Sequence, residues 1–189
     1  IYFVRHAQPV HAWEDDRTRP LTAEGMEDSR KVTETLKSCS IDCYYSSPYR
    51  RSVDTIAESA VWYGKEIRTD ERFRERQSNR GNNNFQMMQK RWDDFSFCEE
   101  GGESLGSVQM RNTAALFDLL QEYQDKNLVI GTHGTALSTI LNYYDSQFLC
   151  DDFIRIIDFM PYIIRLDFDG MKPCAKEEIL IVKKEYCGG

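Results

Sequence analysis

Apolar residues along this chain follow two rhythms. Short runs at 1–4, 41–45 and 128–130 are rich in β-branched and aromatic residues and too short for helices, so they predict buried parallel strands. Between them the apolar positions recur at helical spacing. Thr22 is placed to cap a helix over 23–38, with Met26, Val32 and Leu36 near one face and Glu24 and Glu27 in the favoured first turn. Pro48 suits the first turn of a second helix reaching Tyr63, with Val53, Ile56, Ala57 and Ala60 inward. Residues 65–69 read as a short strand. Ser104 caps a helix to Tyr123 whose apolar stripe, Leu105 through Leu120, is core, and the 128–130 strand leads into a helix carrying Leu137, Ile140 and Leu141.

The carboxyl end changes rhythm. Period-2 or apolar strands at 162–168 and 179–184, separated by Asp169-Gly170 and Pro173, predict a hairpin-like antiparallel addition. Alternating strands and helices followed by that hairpin predict a three-layer α/β/α sandwich, with a mostly parallel mixed sheet and antiparallel strands near the C-terminus. No linker, repeat or low-complexity block divides the chain, so a single domain over 1–189 is expected. The stretch 70–100 is the least regular, with Asn82-Asn83-Asn84 and scattered Trp92, Phe95 and Phe97. Within it, 76–100 is expected to be a lid insertion, a solvated loop with a short helix being the blander alternative.

Composition narrows the partners. With 41% apolar and 29% charged residues the chain is ordinary for a globular protein, and a net charge of −7 argues against a broad nucleic-acid or anionic-membrane surface. Any cation cluster is therefore local. No apolar stretch approaches membrane-spanning length and no signal segment precedes Ile1; because the chain opens inside a strand without an initiator Met, residues before Ile1 are expected. The cysteines at 39, 43, 98, 150, 174 and 187 form no Cys-x-x-Cys pair and have no histidine at zinc-finger spacing. They read as small apolar fillers in a reduced, cytoplasmic protein.

Two histidines stand directly after apolar runs, His6 in Val4-Arg5-His6 and His133 in Gly131-Thr132-His133-Gly134. Both fall where a strand ends, at the sheet edge where open α/β sheets bind ligands. Arg5 sets a fixed cation beside a potential nucleophile, which suits a dianionic phosphate. Arg50 and Arg51 lie near a helix amino terminus that already favours an anion. Adjacent helical residues point about 100° apart, so one of the two is expected to reach it.

The segments Arg5-His6, Leu21-Thr22-x-x-Gly25, Ser46-Ser47-Pro48-x-x-Arg51, Gly102-Glu103-Ser104 and His133-Gly134, in this order, resemble the histidine phosphatase superfamily, or phosphoglycerate mutase-like family, in its mutase and small phosphatase branch. The resemblance runs from the first residues to about His133 and more loosely to the end. It implies that His6 takes the phosphoryl group as a phosphohistidine, that Arg5 and Arg51 clamp the phosphoryl oxygens, and that His133 donates to the same group. Glu75, in Phe73-Arg74-Glu75, aligns with the general acid, and Gln8 and Gly134 join the substrate-binding set. No metal or other cofactor is implied, and the partner is a small phosphorylated substrate, with oligomeric state unassigned.

Each assignment has a plainer rival. Glu71 and the acids around it read as solvated carboxylates, Glu103 as a helix-start carboxylate, His11 as a loop residue near the mouth. Arg17 and Arg19 either meet a second acidic group on the substrate or are solvated. Departures from the family pattern separate its branches. Ala7 replaces the usual Gly, and Gln8-Pro9-Val10-His11-Ala12 stands where mutases carry an acidic residue, Ser, any residue, Trp and Asn. With the short length, this favours a metal-independent phosphomonoesterase of small phosphorylated metabolites over phosphoglycerate mutase-type transfer, while the intact catalytic set argues against a non-catalytic phospho-ligand binding protein. A metallohydrolase ranks last.

Overall fold

The computed structural model describes residues 1–78 and 84–184. Asn82, Asn83, Cys187 and part of the stretch read as a lid lie outside the described residues. Six strands form one mixed sheet: β1 (Tyr2–Arg5), β2 (Cys43–Ser46), β3 (Ile67–Thr69), β4 (Leu128–Thr132), β5 (Phe159–Asp169) and β6 (Lys172–Lys183), in the order β3-β2-β4-β1-β5-β6. The first four are mutually parallel; β5 pairs antiparallel with β1, and β6 antiparallel with β5.

Helices cover both faces. The helices are α1 (Ala23–Leu36), α2 (Arg50–Trp62), α3 (Phe85–Asp93), α4 (Leu105–Glu122), α5 (Gly134–Tyr144) and α6 (Cys150–Ile156). In the buried strands successive side chains feed opposite cores. Tyr2, Val4, Tyr44 and Val129 meet Val32, Leu36, Ile56 and Ala60 from α1 and α2. Phe3, Tyr45 and Ile130 meet Leu116, Leu137 and Phe153 from the helices on the other face. These are the three layers that the alternation predicts.

Local departures have physical reasons. Helix α2 begins at Arg50 with Tyr49 as its cap, two residues later than Pro48 suggests, because the Ser47 hydroxyl accepts the Tyr49 N–H and holds 47–49 as a turn. Met26 is 50% exposed: α1 buries Gly25, Asp28, Ser29, Val32, Thr33 and Leu36, so the inward face is partly polar and Met26 lies off it. Pro173 sits inside β6, the outer strand of the sheet, where proline is tolerated because only one side of the strand is paired. Helix α3 occupies part of the irregular stretch, capped by Asn84, while α6 is absent from the sequence expectation altogether.

Candidate functional site

Register builds the site. Arg5 pairs with Thr132 across β1 and β4, and Ser46 with Gly131 across β2 and β4. The ladder runs one step past the strands, with His6 N–H donating to the Thr132 carbonyl at 3.1 Å and Ser47 N–H to the Gly131 carbonyl at 2.9 Å. His6, His133 and Ser47 thus leave the same sheet edge side by side. The two imidazole rings lie edge-to-face with centroids 5.2 Å apart, and His133 Nε2 is 2.7 Å from the Ser47 hydroxyl.

The His6 ring is oriented by its own chain. Its Nδ1 lies 2.8 Å from the Ala7 carbonyl, which can only accept, so Nδ1 carries the proton and the neutral ring has its lone pair on Nε2. Burial, then the charges of Arg51 and Arg5, hold the His6 pKa well below the ordinary histidine value, and the Ala7 bond opposes this only in part. His133 is driven down in the same way, by burial first and then by Arg51, His6 and Arg5. Both rings are neutral near pH 7. Ala7 replaces glycine without strain and donates its N–H to the Thr55 hydroxyl.

Two arginines border the rings. Arg51, 3% exposed, points inward from the first turn of α2, whereas Arg50 pairs outward with Asp54, as expected for adjacent helical residues. Arg51 Nη1 donates to the Asp16 carbonyl at 2.6 Å and to its carboxylate at 3.2 Å. Arg5 donates to the carbonyls of Ile156 and Ile157, the unsatisfied carbonyls that end α6. Gly134 leaves room for that guanidinium, since a Cβ there would lie 3.3 Å from it.

Glu75 arrives from the coil after a 3₁₀ turn at Glu71–Phe73. Its carboxylate accepts N–H groups of Thr135 at 3.1 Å and Ala136 at 3.3 Å, the first turn of α5, and of Arg76 at 2.7 Å. Because His133 is the residue that caps α5, this puts Glu75 at the same corner of the sheet edge. Of the sequence-selected residues, Arg5, His6, Arg51, Glu75, His133 and Gly134 come together. Gln8 is tied elsewhere: its Oε1 accepts the Thr22 hydroxyl at 3.1 Å, and its carbonyl packs so closely on Gly25 that a Cβ there would sit 2.3 Å away.

The rivals are also placed. Glu71 is exposed and paired with Arg17, and Arg19 pairs with Asp16. Glu103 lies between Arg111 and Arg74; burial alone would raise its pKa, but their hydrogen bonds overcome this and hold it at about 2. His11 is lowered by burial and then by Arg19, Arg51 and Arg5, so it belongs to the same cationic neighbourhood. Ser47, Thr55, Asp16 and Arg111 were not singled out for chemistry in the sequence. Ser47 lies two residues past a predicted strand, which is a signal; Asp16 and Arg111 carry none, since their roles depend on long-range contacts. Among the described residues no group of three or more His, Cys, Asp or Glu side chains is placed to hold a metal ion, and no helix is long and apolar enough to cross a membrane.

A cation-bordered corner with paired histidines on a mostly parallel sheet agrees with the family to which the chain belongs: the histidine phosphatase superfamily, branch 1, matched over residues 1–157. It is 27% identical over 165 residues to a protein of Enterobacter named as a probable phosphoglycerate mutase, covering 75% of this chain and 73% of that one. Among solved structures it resembles the mycobacterial glucosyl-3-phosphoglycerate phosphatase bound to VO3, with TM-score 0.75 at 16% identity over 97% of this chain and 99% of that one. It also resembles the phosphoserine phosphatase of Entamoeba histolytica bound to 3-phosphoglyceric acid, with TM-score 0.75 at 19% identity over 97% and 96%. At these identities the structures establish a shared fold.

Proposed function

We propose that this chain is a metal-independent phosphomonoesterase that hydrolyses small phosphorylated metabolites through a phosphohistidine at His6. The observation that carries the reading is the bond from His6 Nδ1 to the Ala7 carbonyl. It leaves Nε2 as a lone-pair donor on a ring kept neutral by burial and by Arg51 and Arg5. Nε2 attacks phosphorus as the P–O bond to the leaving group breaks; Arg5 and Arg51 take up charge on the phosphoryl oxygens, and Nδ1–H to Ala7 steadies the cationic ring that results. Glu75 gives its proton to the leaving oxygen. It then takes one from water, whose oxygen attacks phosphorus as the P–N bond breaks, releasing phosphate and neutral His6.

A second reading is mutase chemistry, supported by the names of the curated relatives. There the phosphohistidine returns its group to a second hydroxyl instead of water. The run Gln8-Pro9-Val10-His11-Ala12 in place of the mutase signature favours hydrolysis. A cytoplasmic location belongs to the same reading, on the free thiols at Cys39, Cys43, Cys98, Cys150 and Cys174. A panel of phosphomonoesters in excess chelator, read by released phosphate, tests the proposal. It predicts turnover of several small substrates, and from 3-phosphoglycerate plus bisphosphate primer it predicts phosphate and no 2-phosphoglycerate. No phosphate release from any substrate would contradict it and favour a phospho-ligand binding protein.

A further inference from the structure

Glu75 belongs to no helix or strand, so its backbone has no ladder of its own. The carbonyls around it are instead gathered by one side chain on α4. Arg111 Nη1 donates to the carbonyls of Arg72 and Arg74, each at 2.7 Å, and Nη2 to that of Glu75 at 3.1 Å. The same guanidinium meets Glu103 in a two-pronged pair, Nε to Oε1 at 2.8 Å and Nη2 to Oε2 at 3.0 Å. Arg74 grips the other side of Glu103 at 2.7 Å, and Glu103 N–H and the Gln77 carbonyl close the loop at 2.9 Å. On the far side of Glu75, Arg76 shares the buried Glu99 with Arg91.

Burying this many charges is a poor route to stability, because well-packed apolar side chains of like volume do as well or better. What a planar guanidinium supplies that apolar packing does not is direction: fixed N–H vectors that set where three carbonyls lie. We propose that Arg111 is a positioning residue for proton transfer to the leaving group, holding the segment 72–77 so that the Glu75 carboxylate rests on the α5 amino terminus beside His133. Glu103 serves as the anchor of Arg111. This rests on the reading of Glu75 as proton donor.

The test is a double-mutant cycle on two substrates, an alkyl phosphate that needs its leaving oxygen protonated and para-nitrophenyl phosphate, which does not, with the phosphorylation step read in the pre-steady state. Arg111→Lys keeps the charge but cannot span three carbonyls and a carboxylate. It is expected to slow the alkyl substrate roughly 10²-fold and the aryl substrate less than about threefold, KM being little changed. Glu75→Gln should show the same selectivity, and the double variant should be no slower than Glu75→Gln, because Arg111 acts only through that carboxylate. If Glu75→Gln is selective while Arg111→Lys slows both substrates alike, or adds its full loss to the double variant, the positioning role is overturned. If Glu75→Gln itself is unselective, the proton-donor reading fails and takes the inference with it. Should Arg111→Lys not fold, as judged by thermal melting, Glu103→Gln, which unpins Arg111 with little change in shape, is read against the same outcomes.

Discussion

The pocket at the sheet edge and the cage around Glu75 hold arginines in different ways. In the cage, Arg74 and Arg111 share Glu103 while Arg76 and Arg91 share Glu99, carboxylates whose side chains are only 13% and 6% exposed. Each carboxylate there serves two guanidiniums, and the arginines act as rigid forks. In the pocket, Arg5 is oriented by the carbonyls that end α6, and Arg51 by Asp16, whose side chain is 42% exposed. Carbonyls orient Arg5 without cancelling its charge, and the partly exposed Asp16 carboxylate offsets that of Arg51 only in part. The consequence is visible in His6 and His133, which Arg51 and Arg5 help to keep neutral. Arginines forked onto buried carboxylates build position; arginines held mainly by carbonyls and one partly exposed carboxylate build a place for an anion.

The sharpest way to break this contrast is to change a fork in the pocket. Arg51→Lys keeps a cation at the α2 start but loses the planar two-donor geometry, and kcat/KM for phosphate release is expected to fall about 10²- to 10³-fold. A loss under about fivefold in steady-state assays would mean that point charge suffices and that the guanidinium geometry is incidental.

The two regions should also separate by pH. His6 and His133 have folded pKa values below that of the unfolded chain, so the unfolded state binds more protons as pH drops. Their stabilising contribution is complete above about pH 6.5 and is lost below it at about 1.4 kcal/mol per pH unit for each ring. Glu103 is depressed instead from the ordinary carboxylate value of 4.5 to about 2, so its contribution is intact above the first value and fades between the two. Urea unfolding from pH 7.5 to 5 reads this window, to which His11 and the buried Ile1 amino group, both also lowered by burial, add in the same direction. An unfolding free energy flat over that range would show that the pocket does not exclude protons from its rings.

The smallest effect belongs to Asp16, which joins Arg51 and Arg19 from a partly exposed position. A substrate phosphate competes with that carboxylate for the Arg51 guanidinium. Asp16→Asn should therefore tighten inhibition by inorganic phosphate, by up to about fivefold for a partly solvated pair. Weaker inhibition would show that Asp16 holds Arg51 in place for the phosphate instead.

Most of the frame was legible in the sequence because it is written in local patterns. Short β-branched runs marked β1, β2 and β4, and the shift to period 2 marked the closing hairpin. Arg5-His6 and His133 could be joined because parallel strands deliver the residues at their carboxyl ends to one edge. Asp16, Arg111 and the α6 carbonyls were not legible. Asp16 sits in a loop without periodicity, Arg111 lies off the apolar stripe of α4, and α6 is too short for its pattern to stand out from its surroundings. Met26 was misplaced for a related reason, since the buried face of α1 includes Asp28, Ser29 and Thr33 and hydrophobicity alone cannot find it.

The central claim is that phosphate passes through His6. Rapid mixing with a turned-over phosphomonoester, an alkaline quench and peptide mapping test it directly, because a phosphohistidine survives base and is lost in acid. The predicted result is a phosphorylated peptide containing His6, formed at least as fast as phosphate is released and absent in a folded His6→Ala protein that has lost turnover. Steady phosphate release with no phosphoprotein at any time, or a His6→Ala protein that keeps its rate, would contradict it.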